Sequence, residues 1–166
     1  MKKVLIVEDE ILARLGLRQL VDWKKLELEL LPDATDGEEA LEMIRNSCPD
    51  IILLDLNIPK VSGLEILEFL KKEEMPTKVI VVSCQEEFDV VKKAMKLGAY
   101  DYLRKLNLSS DELENILEKC LVETEERITV HMQGIREIRY EEIVRDSRDI
   151  LAGACNYQTL IRSEER

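Results

Sequence analysis

Ile51-Ile52-Leu53-Leu54-Asp55-Leu56-Asn57 is the stretch from which the fold of this 166-residue chain is read. Four branched apolar residues in succession mark a short strand covered on both faces. An acid stands where that strand ends. Two more runs share the shape: Val4-Leu5-Ile6-Val7 leads into Glu8-Asp9, and Val79-Ile80-Val81-Val82 leads into Ser83. A weaker run, Tyr100-Asp101-Tyr102-Leu103, is followed closely by Lys105. In open parallel α/β sheets, ligands bind just beyond the carboxyl ends of the strands. A parallel sheet would therefore gather three acids, a hydroxyl and an amine along one edge.

The segments between these runs read as helices. Glu10 through Trp23 carries Ile11, Leu12, Leu15, Leu20 and Val21 at helical spacing. Leu28 to Ala34 reads as a second strand, broken late by Pro32 and so placed at an edge. Thr35-Asp36-Gly37-Glu38-Glu39 opens the next helix with a cap and first-turn acids, and Pro49 bars its continuation. A third helix spans Leu64 to Lys72, with Leu64, Leu67 and Leu70 on one side. The fourth starts near Glu86, ends in Lys92, Lys93 and Lys96 on a solvated face, and stops at Gly98. Ser109-Ser110-Asp111-Glu112 begins the fifth, striped by Leu113, Ile116, Leu117, Cys120 and Leu121. Five strands alternating with five helices predict an α/β fold, a doubly wound parallel sheet of order 2-1-3-4-5. That order sets strands one and three side by side, so Glu8, Asp9 and Asp55 meet.

Composition narrows the function. The formal net charge is −11, and no basic stretch rises above the acidic background, which argues against direct nucleic-acid binding. No apolar run reaches the roughly 18 residues of a membrane span. The apolar run behind Met1-Lys2-Lys3 breaks at Glu8, too early for a signal segment, so a cytoplasmic protein is expected. The four cysteines, Cys48, Cys84, Cys120 and Cys155, form no C-x-x-C pair and read as reduced, mostly packed thiols rather than a zinc site. Residues 1–122 read as one α/β domain. Beyond them no lysine occurs, and Ile128, Ile135 and Ile138 fit a heptad seam only in part. Residues 123–166 therefore read as a linker or helical extension, cut before an output domain, with His131 an ordinary linker residue.

Clustered carboxylates repel one another, and a bound Mg²⁺ relieves that repulsion with oxygen ligands it prefers. A carboxylate beside such a cation, with a lysine and a hydroxyl opposite, is laid out to accept a phosphoryl group. The carboxylate is the nucleophile, and positive charge meets the equatorial oxygens.

These residues resemble the receiver domain of two-component response regulators over about residues 2–122. The matching pieces are Val7-Glu8-Asp9-Glu10, Leu54-Asp55-Leu56-Asn57-Ile58-Pro59, Ser62-Gly63, Val82-Ser83 and Gly98-Ala99-Tyr100-Asp101-Tyr102-Leu103-Arg104-Lys105. The resemblance implies that Asp55 is the phosphoacceptor. It implies that Asp9, Asp55 and the main-chain carbonyl of Asn57 hold Mg²⁺, with Glu8 assisting, and that Ser83 and Lys105 bind the phosphoryl group. Tyr102 matches the aromatic whose rotamer follows the hydroxyl residue, re-shaping the face of helix 4, strand 5 and helix 5. The implied phosphodonor is a sensor histidine kinase. The implied chemistry is phosphoryl acceptance with slow self-dephosphorylation, not turnover as an enzyme. The sequence leaves a homodimer open.

Leu20-Val21-Asp22-Trp23-Lys24-Lys25-Leu26 is similar to receivers joined to AraC-type helix-turn-helix domains. DNA would then be reached, and transcription regulated, only through an output domain outside this chain. The sequence departs from the family after Lys105, where Leu106 replaces the usual proline. A cis bond before a non-proline residue costs about 3–4 kcal/mol, so a trans Lys105–Leu106 bond and a shifted loop are expected. Two other readings compete. A phosphohydrolase of the haloacid dehalogenase type needs a second acid two residues on, where Asn57 cannot serve. A phosphorylation-independent interaction module is disfavoured by the intact acid set and kept open by Leu106.

Overall fold

The computed structural model describes residues 1–123. The expectations for residues 124–166, including the partial heptad, His131 and Cys155, lie outside the described residues. The order of elements is β1 (Lys2–Val7), α1 (Ile11–Leu20), β2 (Leu28–Leu30), α2 (Gly37–Ser47), β3 (Ile51–Leu54), α3 (Gly63–Lys72), β4 (Lys78–Ser83), α4 (Phe88–Lys96) and β5 (Asp101–Arg104). A 3-10 turn over Lys105–Asn107 follows, and a last helix, α5, occupies 110–123.

All five strands are parallel, in the order β2-β1-β3-β4-β5. The predicted doubly wound sheet is therefore present, with β1 and β3 adjacent. Every residue of β3 and β4 is buried, as are Val4 to Val7 of β1, which is why these strands read as unbroken apolar runs. Leu5, Val7, Ile52, Leu54, Val79 and Val81 pack on one face against Ala40, Ile44, Ile66, Leu67, Leu70 and Ala94. Each fully buried aliphatic side chain contributes about 1.5–3 kcal/mol.

Local chemistry fixes the helix ends. Asp36 accepts a hydrogen bond from the Glu39 amide, and Ser62 forms a reciprocal capping box with Glu65. Gly98 takes φ 97° just past α4, a left-handed conformation that glycine adopts without steric cost. The amide of Glu112 is met by the hydroxyl of Ser109 at the start of α5. Leu113, Ile116, Leu117 and Cys120 of the expected α5 stripe are buried.

Three expectations need correction. The second strand stops at Leu30 because Pro32 cannot donate to a ladder, and Ala34 returns only as an isolated bridge to Val7. The apolar set of α1 does not all face the core. Leu17 and Val21 are buried, but Ile11, Leu12 and Leu15 are 64%, 76% and 49% exposed. The helix begins just past the end of β1, so its first turns overhang the rim of the sheet. The cysteines are not mostly packed: Cys120 is buried, while Cys48 and Cys84 are exposed free thiols. Cys48 is the left-handed cap of α2, and Cys84 lies one residue past β4. No described helix is long and apolar enough to cross a membrane.

Candidate functional site

Register decides what meets at the carboxyl edge. Val7 pairs with Leu54, and Leu54 with Val81, so the residues following β1 and β3 emerge together. The Asp55 amide donates to the Val7 carbonyl at 3.0 Å, and the Glu8 amide to the Ala34 carbonyl at 3.0 Å. One carboxylate oxygen from each of Glu8, Asp9 and Asp55 lies within 4.8 Å of the others. Glu8 and Asp55 are buried, 1% and 6% exposed, whereas Asp9 faces solvent.

β4 and β5 supply the other side. Lys105 Nζ lies 2.7 Å from Asp55 Oδ2 and 2.6 Å from Glu8 Oε2. Ser83 is fully buried, and its hydroxyl accepts from the Gln85 amide at 3.2 Å. The Asn57 amide donates to Asp55 Oδ1 at 3.2 Å, turning the chain away from the strand. Six residues singled out in the sequence, Glu8, Asp9, Asp55, Asn57, Ser83 and Lys105, line one open cavity of about 410 Å³. Tyr102 is not among the cavity's lining residues; it is half-buried on β5, beside Ser83, with its hydroxyl donating to the Gln85 carbonyl at 2.7 Å.

The charges at this edge are unequal. Burial, reinforced by the charge of Asp55, pushes the Glu8 carboxyl above its usual range, against hydrogen bonds from Lys105 and the Glu10 amide. Burial opposes the charge on Lys105, but its hydrogen bonds to Asp55 and Glu8 outweigh that, and its pKa is raised. Burial also lifts the Tyr102 phenol, with a hydrogen bond to Ser83 opposing and Asp55 adding. One ammonium is thus paired with two of three converging carboxylates. Glu8 Oε2 is wholly buried and meets the Lys105 ammonium at 2.6 Å, with no other partner among the described residues. Three convergent carboxylates with one paired ammonium between them fit a hard divalent cation of the Mg²⁺ kind.

The Lys105–Leu106 bond is trans, as expected, because no cis peptide occurs among the described residues. The chain takes the 3-10 turn instead, and Lys105 still reaches both acids while Leu106 is left 78% exposed. Arg14 escapes a sequence reading, and Gly63, part of the matching Ser62-Gly63 piece, gains a physical reason. Arg14 Nη1 donates to the carbonyls of Glu8 and Asp9, both at 2.9 Å. Gly63 packs so closely that a Cβ there would lie 2.6 Å from the Asp55 carbonyl oxygen and 2.6 Å from Leu56 Cα. Main-chain acceptors leave no residue-type signature, whereas the close approach at Gly63 leaves one in the glycine itself.

Residues 4–118 match the response regulator receiver domain. An uncharacterized response regulatory protein of Staphylococcus epidermidis is 34% identical over 118 residues, covering 71% of this chain and 46% of that protein. The uncharacterized transcriptional regulatory protein YesN of Bacillus subtilis is 30% identical over 141 residues, covering 85% of this chain and 38% of its own length. Among solved structures, the receiver domain of the response regulator AraT from Geobacillus stearothermophilus superposes with TM-score 0.69 at 32% identity, covering 76% of this chain and 97% of that one. The chain thus spans less than half the length of these two curated relatives.

Proposed function

This chain belongs to the receiver-domain family of two-component response regulators, and on that premise we propose that Asp55 is its phosphoacceptor. The observation that carries the assignment is the placement of Asp55. It lies at the end of the central strand, 2.7 Å from Lys105 Nζ, with the Glu8 and Asp9 carboxylates converging on it. A carboxylate oxygen of Asp55 attacks phosphorus. The new O–P bond forms as the donor's P–N bond breaks, and the departing imidazole takes up a proton. Lys105 already stands where negative charge builds on the transferred group, so little reorganisation is needed. Ser83 turns its hydroxyl to a phosphoryl oxygen and gives up its contact with the Gln85 amide. Tyr102, hydrogen-bonded to the Gln85 carbonyl, follows that segment and changes the exposed β5 surface.

Glu8, Asp9 and Asp55, with the Asn57 carbonyl, would hold Mg²⁺. When bound, the cation supplies the positive charge that one lysine cannot. The donor is a sensor histidine kinase. Ile11 and Leu12, which follow Glu10, and Leu106, which follows Lys105, are exposed, and apolar surface of this kind gains free energy when covered, which favours a protein donor over a small molecule. The output is transcription control through a DNA-binding domain outside this chain, and the protein works in the cytoplasm. Residues 1–122 act as the receiver and 123–166 as the connection to that output.

The test is incubation of the full chain with Mg²⁺ and acetyl phosphate, followed by intact mass measurement. A single phosphoryl adduct that requires Mg²⁺ and is absent from Asp55→Asn is expected. An adduct that persists in Asp55→Asn, or none in the unaltered chain, overturns the assignment.

A further inference from the structure

We infer that Arg14 is a positioning residue for the divalent-cation site, acting through the main chain of the two residues that open it. The inference rests on the reading of Glu8, Asp9 and Asp55 as cation ligands. Glu8 and Asp9 lie in the short link between β1 and α1, and Asp9 is exposed. Nothing in an isolated loop of this kind would hold its carboxylate toward Asp55. Repulsion from the two buried acids would swing it out into water.

Arg14 counters this. It sits in the second turn of α1, and its Nη1 donates to the carbonyl of Glu8 and to the carbonyl of Asp9, each at 2.9 Å. Those two carbonyls belong to the peptide planes on either side of the Asp9 Cα. Fixing both planes fixes the direction of the Asp9 Cα–Cβ bond. Hydrogen bonds from a cationic donor are about twice as strong as neutral ones, so the restraint is firm. The guanidinium is anchored in turn. Its Nε lies 4.0 Å from Asp33 Oδ2, and Asp33 is also held by Arg18 at 2.6 Å. Asp33 precedes Ala34, whose carbonyl receives the Glu8 amide. The links after β1 and β2 are therefore tied together through one half-buried arginine, 16% exposed. Arg14 touches no reacting atom; it sets the direction of a side chain that does.

The full chain, with Arg14→Lys, Arg14→Gln and the unaltered protein side by side, provides the test. Mn²⁺ affinity is read by electron paramagnetic resonance, with thermal midpoints recorded without metal. Arg14→Gln is expected to weaken Mn²⁺ binding about tenfold, the scale seen when groups supporting metal ligands are removed. Arg14→Lys keeps a cationic donor and is expected to recover part of the loss. Phosphorylation of Arg14→Gln by acetyl phosphate should return to the unaltered rate at saturating Mg²⁺. Mn²⁺ affinity of Arg14→Gln within twofold of the unaltered chain overturns the inference, as does a loss that Arg14→Lys does not relieve at all. If the unaltered chain binds no Mn²⁺, the cation-site reading itself fails and takes this inference with it.

Discussion

The two ends of the same sheet handle charge in opposite ways. At the amino edge, partners are matched one for one. Asp50 takes the Lys3 amide at 2.8 Å on one oxygen and faces the Lys2 ammonium at 3.4 Å with the other. Thr77 donates to the Pro49 carbonyl at 2.8 Å. Lys78, buried at the start of β4, donates to the Cys120 carbonyl near the end of α5 and lies 4.6 Å from the centre of the Tyr100 ring. At the carboxyl edge, Glu8 and Asp55 share Lys105, and the Asp9 carboxylate converges on the same two acids. Lys78 and Lys105 are both largely removed from water, yet one closes a structural contact and the other stands in a deficit of positive charge. Among the described residues, this surplus of negative charge lies at the edge where the divalent cation is proposed to bind.

Removing Lys105 should break that contrast most severely. In Lys105→Ala, Glu8 and Asp55 lose the ion pairs at 2.6 and 2.7 Å. Adduct formation from acetyl phosphate at saturating Mg²⁺ should fall about 100-fold, the usual consequence of losing one charge-stabilising donor. The cation-free domain should melt lower than the unaltered chain, and Mg²⁺ should raise its midpoint by more than it raises that of the unaltered chain. Calorimetry with and without Mg²⁺ checks the second point. Equal Mg²⁺ shifts would mean the lysine does not share its site with a cation.

Gly63 tests whether the carboxyl edge depends on backbone position as well as charge. A methyl group there would meet the Asp55 carbonyl oxygen and Leu56 Cα at 2.6 Å, contacts that no flexible side chain can yield. Gly63→Ala should cost about 1–3 kcal/mol of stability, as overpacking does. It should also slow adduct formation, because relief requires the segment that carries Asp55 and Asn57 to move. Denaturant unfolding and the rate of mass increase measure the two separately.

Much of this was legible before any coordinates. The apolar run Ile51–Leu54 fixes a buried central strand, and the acid after it becomes informative once β1 is known to lie alongside. Parallel register then brings Glu8, Asp9, Asp55, Ser83 and Lys105 to one edge with no further assumption. What was not legible has a physical reason in each case. Helical periodicity is the same for a face that meets a sheet and a face that overhangs its rim, so the spacing of Ile11, Leu12 and Leu15 marked a helix without saying that they lie exposed. Arg14 acts on carbonyls, which every residue carries. The reach of Lys105 without a following proline depends on a 3-10 turn that no single residue specifies. The half-buried setting of Tyr102 follows from its hydroxyl finding the Gln85 carbonyl, a contact set by loop geometry.

At the amino edge the matching test is Lys78→Met, which keeps the aliphatic stem and removes the ammonium. The Cys120 carbonyl loses one donor and the Tyr100 ring one cation. A stability loss of about 1 kcal/mol is expected, the scale of a single hydrogen bond. The adduct rate should stay within twofold of the unaltered chain. A tenfold slowing would show that the two edges are coupled and would break the contrast drawn between the two lysines.

The finest distinction lies between groups near the cavity and groups in it. Ser62 caps α3 directly before Gly63, yet it does not line the cavity. Its amide first, and its hydroxyl second, hold the Glu65 carboxyl below its usual value of 4.5. A carboxylate with a lowered folded pKa contributes stability at pH above 4.5 and loses it as pH falls through the folded value. Ser62→Ala removes the hydroxyl that meets the Glu65 amide and should cost about 1 kcal/mol near neutral pH. Because the Glu65 carboxylate also accepts from that hydroxyl, the stability gap should narrow as pH drops below 4.5. Urea titrations at neutral and acidic pH measure it. Adduct formation at neutral pH should be unchanged, since the capping box restrains the helix and leaves Asp55, Lys105 and the acids of the β1–α1 link where they are.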